Sequence, residues 1–374
     1  MNMQQKIENT LRRLVAIPST SSNIALCREV IDEVKGDLSK LGLFIKEGEV
    51  EDHPWILATT QKTMSTDILL VAHLDVVPAL EGLFTVRRKG TSLHGRGVYD
   101  MKFAAACYLE LLREHHSELA TMNIGVLFTT DEEIGGLSVK EVLASGLRAK
   151  IALLPDGGDN WAIEKRAKGP YGIGLTAQGK AAHGSRPWEG INALHTIMDV
   201  AQILRSKYPS EKPSDSTVSI NQLIAGEAPN QIPEYASVAV DFRSFDKAEM
   251  DAFKLLIGEL ARIHNLETHI YNEGDPLVFD DTDPRVQEFM EVFERVVGHK
   301  AEFCESYGAS DARYFGQYDI PCIVVQPHGG GRHSASEWIE ATDLEKYYRL
   351  IETWIFQSSA TGVASSAKNR TARS

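Results

Sequence analysis

Four short apolar runs that end in His, Asp or Glu constrain the fold of this chain more than any other feature. The runs are DILLVAHLD at 67–75, NIGVLFTTDEE at 123–133, KIALLPDGG at 150–158 and IPCIVVQPHGGGRH at 320–333. Continuous runs of this kind are typical of strands that are buried on both faces. Helical patterns separate them, such as MKFAAACYLELLREHH after Asp100. The sequence therefore predicts a mostly parallel, doubly wound α/β sheet with helices on both faces.

The middle of the chain follows a different pattern. YGIGLTAQG alternates apolar and polar residues from 171, and the helical pattern INALHTIMDVAQIL comes next. Two strands near 217–225 and 235–243, a helix at about 247–263 and a strand near 267–272 complete the segment. This βαββαβ order predicts a ferredoxin-like domain, inserted between the third and fourth apolar runs.

The length also indicates two domains, because 374 residues exceed the roughly 250–300 at which a single core stops growing. We predict a discontinuous domain at 1–168 and 279–357 that contains the four apolar runs, and an inserted domain at 169–278. The polar end of the chain, 358–374, has the composition of a disordered tail.

Charge and composition exclude several kinds of partner. A formal net charge of −13 argues against nucleic acid, which needs clustered Lys and Arg. The start of the chain is charged throughout, and no apolar run approaches the ~20 residues of a membrane span, so we expect a cytoplasmic protein without membrane contact. No CxxC pair is present, and we expect reduced, mostly buried thiols at Cys27, Cys107, Cys304 and Cys322.

The polar ends of the predicted strands supply two histidines and several carboxylates. These residues are His73, Asp75, Asp100, Glu132, Glu133, Asp156 and His333. Ligands bind at the carboxyl ends of the strands in an open α/β sheet, so the residues could form one site. A mixed set of nitrogen and oxygen ligands suits zinc, and it also suits cobalt or manganese.

Two pairs within this set also have interpretations without a metal. His73 alone is more often a hydrogen-bonded structural histidine, but Asp75 is spaced as the carboxylate that orients a metal-bound imidazole. Glu132 and Glu133 could form a solvated acidic patch. They follow a buried strand, however, and a cation would offset their mutual repulsion.

Asp100 and the glycines before His333 are open to similar alternatives. Asp100 lies between a glycine-rich turn and a predicted helix, and it could act only as the helix N-cap. The triple glycine at 329–331 could be a flexible loop, or it could let a ligand approach the backbone. Gly330 is accordingly a candidate substrate-binding residue.

Six motifs together resemble a known family. They are VAHLDVVP, GRGVYDMKFAAA, TTDEEIGG, LLPDGG, AAHGSRPWEGINA and GRHSASEW. Their order and spacing resemble the zinc metallopeptidase family of aminoacylase, acetylornithine deacetylase, succinyl-diaminopimelate desuccinylase, glutamate carboxypeptidase and related dipeptidases. The resemblance covers almost the whole chain before the tail. It implies an enzyme that hydrolyses an amide bond with two zinc ions per chain.

The resemblance also implies a role for each motif residue. The implied metal ligands are His73 and Asp156 for one zinc, Glu133 and His333 for the other, and Asp100 as the bridge. Glu132 matches the general base, and Asp75 matches the carboxylate behind His73.

The inserted domain resembles the lid and dimerisation domain of the family, which implies a homodimer. His183 resembles the histidine that reaches an active site, often that of the partner subunit. Asn230 and Arg243 resemble lid residues near the substrate carboxylate, although Arg243 could equally form a structural ion pair with Asp241.

The identity of residue 156 bears on the substrate. Deacetylases and desuccinylases of this family typically have Glu there, and Asp156 is more similar to the di- and tripeptidase branch. We therefore favour a peptide substrate and a di- or tripeptidase or carboxypeptidase, with an N-acyl-amino-acid deacylase as the alternative. A catalytically silent peptide-binding relative and a binding domain with one structural zinc are the remaining hypotheses. Every ligand and base position is filled, and structural zinc sites often use cysteine, so both are less favoured.

Overall fold

The computed structural model describes the backbone of residues 1–371 and the side chains of residues 1–358. Apart from Ser358, the predicted disordered tail at 358–374 lies outside the residues with described side chains. The helices are α1 Met3–Val15, α2 Ile24–Leu38, α3 Lys102–Glu114, α4 His116–Leu119, α5 Leu137–Ala144, α6 Ala193–Lys207, α7 Lys247–His264, α8 Pro284–Val297 and α9 Ala341–Thr371. Within the described residues, no helix combines the length and apolar character that a membrane span requires.

The described backbone also contains nineteen strands, most of which are short. They are β1 Phe44–Val50, β2 His53–Thr59, β3 Ser65–His73, β4 Arg87–Lys89, β5 Ser92–His94, β6 Ile124–Thr129, β7 Arg148–Leu153, β8 Ala162–Ala167, β9 Gly169–Gln178, β10 Ala182–His183, β11 Thr217–Ala225, β12 Gln231–Ile232, β13 Tyr235–Ser244, β14 Leu266–Glu273, β15 Leu277–Val278, β16 Glu302–Ser306, β17 Cys322–Ile323, β18 Gly329–Gly330 and β19 Trp338–Glu340.

The chain divides into two compact units. Unit 1 consists of Met1–Lys165, Phe279–Glu305 and Ser310–Ser374. Unit 2 consists of Arg166–Val278 and Ser306–Ala309. Unit 2 is therefore built almost entirely from one continuous segment that interrupts unit 1.

Unit 1 contains a six-stranded sheet in the order β1-β2-β6-β3-β7-β17. β3 pairs in parallel with β6 and β7, and β17 pairs in parallel with β7. The prediction of a mainly parallel sheet in a mixed α/β fold is confirmed. β2 departs from it, because β2 is antiparallel to both of its neighbours. The hairpin turn between β1 and β2 has positive φ at Glu51 and Asp52, as tight two-residue hairpins require.

The order of these strands determines where their polar ends meet. β3 ends at His73, which lies opposite Thr129 at the end of the neighbouring β6. β7 and β17 extend the same parallel set on the other side of β3. Since parallel strands carry their carboxyl ends to one edge of the sheet, residues that are far apart in sequence meet there.

The helices and the six-stranded sheet of unit 1 share one hydrophobic core. α1 buries Ile7, Leu11 and Leu14 completely, which is the helical face that its spacing predicts. A capping box between Asn2 and Gln5 begins the helix. None of the four cysteines is paired with another in the structure, and Cys27, Cys107 and Cys322 are buried, as the sequence predicts.

Unit 2 contains a four-stranded antiparallel sheet in the order β11-β13-β9-β14. Along the chain, α6 lies between β9 and β11, and α7 lies between β13 and β14. β13 alternates as a half-buried strand does, and Ala236, Val238 and Val240 point into the core. Phe242 continues this face and stacks on Phe253 of α7 at a ring-centroid distance of 4.0 Å. The strands and helices of unit 2 lie close to the positions predicted from periodicity.

Candidate metal centre

Asp100 lies between two histidines at the carboxyl edge of the unit 1 sheet. Its Oδ1 is 3.2 Å from His73 Nε2, and its Oδ2 is 3.1 Å from His333 Nε2. His333 Nε2 is also 3.1 Å from Glu133 Oε2. The Asp100 and Glu133 side chains are each only 6% exposed. One carboxylate thus presents an oxygen to each side of the site, as a residue that bridges two cations must.

Asp156 and Glu132 complete the cluster on the His73 side. Potential ligand atoms of His73, Glu132 and Asp156 all lie within 4.8 Å of one another. The same limit holds for His73, Asp100 and Glu133. The structure therefore brings the strand-end residues together.

The electrostatics of the cluster favour a cation. Burial and the charge of Asp100 raise the pKa of Asp156 to about 7. Burial and the charge of Asp156 likewise raise the pKa of Glu132 well above its ordinary value. Hydrogen bonds to Asp100 and Glu133 raise the pKa of His333 to about 10. Crowded carboxylates of this kind are destabilising unless positive charge offsets them. Imidazole nitrogens together with carboxylate oxygens are a donor set that fits zinc.

Asp75 connects His73 to the loop that carries the two glutamates. Its carboxylate accepts hydrogen bonds from the backbone N–H of Glu132 at 3.3 Å and of Glu133 at 3.1 Å. Ser21 Oγ donates to the same carboxylate at 2.7 Å. His73 Nδ1 lies 3.0 Å from the backbone oxygen of Asp75 and 3.4 Å from its Oδ1. Both neighbours of Nδ1 are acceptors, so Nδ1 carries a proton and Nε2 faces Asp100.

The N-cap alternative for Asp100 is wrong. α3 begins after Met101, which is its N-cap residue, and no side chain caps this helix. The backbone N–H groups of Asp100 and Tyr99 instead donate to Glu337 Oε1 at 3.1 and 2.9 Å. Arg96 pairs with the other oxygen of this buried carboxylate at 2.5 Å. Glu337 belongs to the motif GRHSASEW, which was the available sequence signal for it.

Arg332 is a second residue that sequence reasoning missed. Its Nη2 donates to Asp159 Oδ1 at 3.0 Å, and its Nη1 lies 3.9 Å from Asp156 Oδ1. Tyr99 Oη donates to the same oxygen of Asp159 at 2.8 Å. This network joins the segments around Asp156 and Tyr99 to the residue that precedes His333. The sequence signal was an arginine directly beside a candidate ligand.

In unit 2, His183 and Asn230 lie on adjacent segments. Gly184 N–H donates to the backbone oxygen of Asn230 at 2.7 Å, next to the pairing of β10 with β12. His183 is exposed, and its Nδ1 lies 2.8 Å from Ser185 Oγ. His183 is therefore accessible for contact with a ligand.

Arg243 does not lie with these two residues. β13 begins at Tyr235, and Arg243 lies near its other end. There the Nε of Arg243 forms an ion pair with Asp241 Oδ1 at 2.9 Å. The ion pair named as the alternative for Arg243 is therefore present. Gly330, in unit 1, pairs with Trp338 between β18 and β19, so the glycine segment is partly ordered as a strand.

Comparison with known proteins gives matches over most of the chain. A family model described as peptidase family M20/M25/M40 matches residues 69–357. Aminoacylase-1 of Sus scrofa is 27% identical over 311 residues, which cover 72% of this chain and 73% of that protein. A tripeptidase from Staphylococcus aureus superposes with a TM-score of 0.74 at 20% identity, covering 94% of this chain and 97% of the other. A dinuclear metal-binding peptidase from Bacillus subtilis gives 0.66 at 16% identity, covering 94% and 97%.

Proposed function

This chain belongs to peptidase family M20/M25/M40, a family of hydrolases, and we propose that it cleaves the amide bond of a di- or tripeptide with two zinc ions. The observation that carries the proposal is the placement of Asp100 between His73 and His333, with further carboxylates on both sides. Hydrolysis of an N-acyl amino acid is the second candidate, because the chain is also similar to an aminoacylase.

The proposed zinc ligands divide into two groups that share one carboxylate. His73 and Asp156 would hold one ion, Glu133 and His333 the other, and Asp100 both. Cobalt or manganese would suit the same donors. When bound, such a pair of ions polarises a carbonyl and lowers the pKa of water.

In the proposed mechanism Glu132 is the general base. Its carboxylate takes the proton from the attacking water and returns it to the leaving nitrogen. Asp75 keeps Glu132 in place through the backbone N–H of that residue and orients the His73 ring. His183 would donate to the oxyanion that forms at the scissile carbonyl.

Unit 2 is proposed as the lid and dimerisation domain. Its βαββαβ order of elements and its strand order β11-β13-β9-β14 support the ferredoxin-like arrangement proposed for it. β11 is an edge strand on which Leu223 and Ile224 are exposed, and Met198 of α6 is also exposed. An uncovered apolar edge favours pairing with another chain, which supports a homodimer. Asn230, Arg243 and Gly330 remain candidate substrate contacts, and a cytoplasmic location stays a prediction.

Product analysis tests the substrate class directly. The zinc-loaded protein would be incubated with dipeptides, tripeptides, and N-acetyl, N-succinyl and N-carbamoyl amino acids, and the products separated by liquid chromatography. We expect the highest kcat/KM for a peptide. A preference for an N-acyl amino acid would establish the deacylase alternative instead. Failure to cleave any substrate, with both metals bound, would contradict the proposed hydrolysis.

The lid proposal predicts a strong effect of His183→Ala. Loss of one oxyanion donor lowers turnover by roughly 10²-fold to 10³-fold. Metal content should not change, because His183 is not a proposed ligand. Turnover number and metal per chain, measured on one preparation, check both statements.

If His183 acts in the partner subunit, mixing His183→Ala chains with Glu132→Gln chains should restore activity. Each heterodimer then has one active site with both groups intact. No recovery after confirmed subunit exchange would show that His183 does not act across the dimer.

A further inference from the structure

Glu132 lies on a short loop that is held at both ends. Glu132–Ile134 form a 3-10 turn that runs into two glycines with positive φ, Gly135 at 126° and Gly136 at 61°. Asp75 accepts from the backbone at the beginning of this loop. The other end is held by residues to which the sequence assigned no role.

Two buried side chains donate to one carbonyl at that end. Arg313 Nη2 and Tyr314 Oη each lie 2.6 Å from the backbone oxygen of Gly135. The two donors are also 3.1 Å from each other. Arg313 is 5% exposed and Tyr314 is 2% exposed, so both donor side chains are buried. The peptide plane that follows the glutamates is therefore held by direct contacts.

The turn that carries these donors approaches the loop very closely. Arg313 and Tyr314 lie on the 3-10 turn Asp311–Tyr314. A Cβ added to Gly136 would lie 1.6 Å from Asp311 Oδ1. The buried carboxylate of Asp311 would have to move to admit any side chain at position 136, where the positive φ also favours glycine. The loop therefore has little freedom between Asp75 and this turn.

We propose that Arg313 and Tyr314 are positioning residues that hold the Gly135 carbonyl and thereby direct the carboxylate of Glu132. The inference rests on the proposed function of Glu132 as general base. Neither residue touches the reacting atoms in this role. A catalytic group must be held in a narrow geometry, and a displacement of about 1 Å can cost roughly 10²-fold in rate.

Tyr314→Phe tests this inference because it removes one donor and keeps the ring. We expect kcat to fall roughly 10-fold, with KM within about 2-fold and two metals per chain. Tyr108→Phe is the matched control, since Tyr108 is also fully buried and its hydroxyl lies 3.4 Å from that of Tyr347. The control should retain wild-type kcat. Arg313→Lys should retain more turnover than Arg313→Met, because it keeps a charged donor.

A double-mutant cycle separates positioning of Glu132 from general support of the fold. In a Glu132→Gln background, Tyr314→Phe should have no further effect on the residual rate, because the group that it positions is gone. An undiminished further loss in that background would overturn the inference. Loss of metal that accounts for the fall in kcat would also overturn it, because Tyr314 would then act through Glu133. Full activity of Glu132→Gln alone would instead refute the proposed general base.

Discussion

Removal of both metals with a strong chelator will abolish amide hydrolysis, and added zinc or cobalt will restore it. The proposed chemistry depends on polarisation of the carbonyl and of water, which the side chains at the site do not provide without the ions. Turnover would be measured on apo protein verified by elemental analysis, with zinc-saturated chelator as the control. Full turnover in verified apo protein would rule out the mechanism.

Metal removal should also lower the melting temperature of unit 1. Asp156 and Glu132 lie close together beside His73, and burial together with this crowding raises the pKa values of both carboxylates, which cations would stabilise. An ion at a free concentration 100-fold above its Kd stabilises the native state by about 2.7 kcal/mol. For a unit of this size, each kcal/mol of added stability raises the melting temperature by about 2 °C. Two such ions should therefore raise it by roughly 10 °C. An unchanged transition in calorimetry would show that the ions contribute little to folding.

Glu132→Gln should lower turnover by roughly 10²-fold to 10⁴-fold and leave two zinc ions per chain. The amide keeps the shape of the side chain and removes the basic carboxylate, which is the contribution of a general base. Turnover number and metal per chain would be measured together in zinc-buffered solution. Substantial loss of zinc would mean that Glu132 binds metal, as its proximity to His73 and Asp156 permits.

The neighbouring residue supplies the matched comparison. Glu133 Oε2 lies 3.1 Å from His333 Nε2, and Glu133→Gln should weaken one metal, because an amide is a poorer zinc ligand than a carboxylate. A higher zinc concentration should then restore part of the turnover of Glu133→Gln. The same zinc concentration should not restore the turnover of Glu132→Gln. Reversed phenotypes would exchange the two roles. If neither substitution changed metal content or rate, the pair would be only an acidic patch.

Local patterns in the sequence predicted four parallel strands and two helices of unit 1, and the main strands and helices of unit 2. The alternation in β13 and the apolar face of α1 depend on which side chains are buried, and that information repeats every two or every three to four residues. Neither the strand β2 nor its antiparallel direction was predicted. Its run HPWILAT is fully buried and resembles the parallel strands in composition, so only its pairing shows its direction.

The candidate site was predictable where a residue lies at the end of a strand or within four residues after it. His73, Glu133 and Asp156 are placed by the ends of adjacent parallel strands, so locating the strands also located them. Asp100 was harder, because a residue before a helix is commonly its cap, and only the hydrogen bonds of α3 show otherwise.

The sequence by itself determined the apolar runs, the edge of the sheet at which their polar ends meet, and the chemical character of that edge. The reason is that both the burial of a strand and the type of metal-ligating side chain at its end are properties of short segments. Only the tertiary structure decided which side chains support the site. Tyr314 and Gly135 are 179 positions apart, and Tyr99 and Glu337 are 238 apart. No local pattern encodes such pairs, since hydrogen bonds need a donor and an acceptor within about 3 Å, and the packing of the whole unit sets that distance.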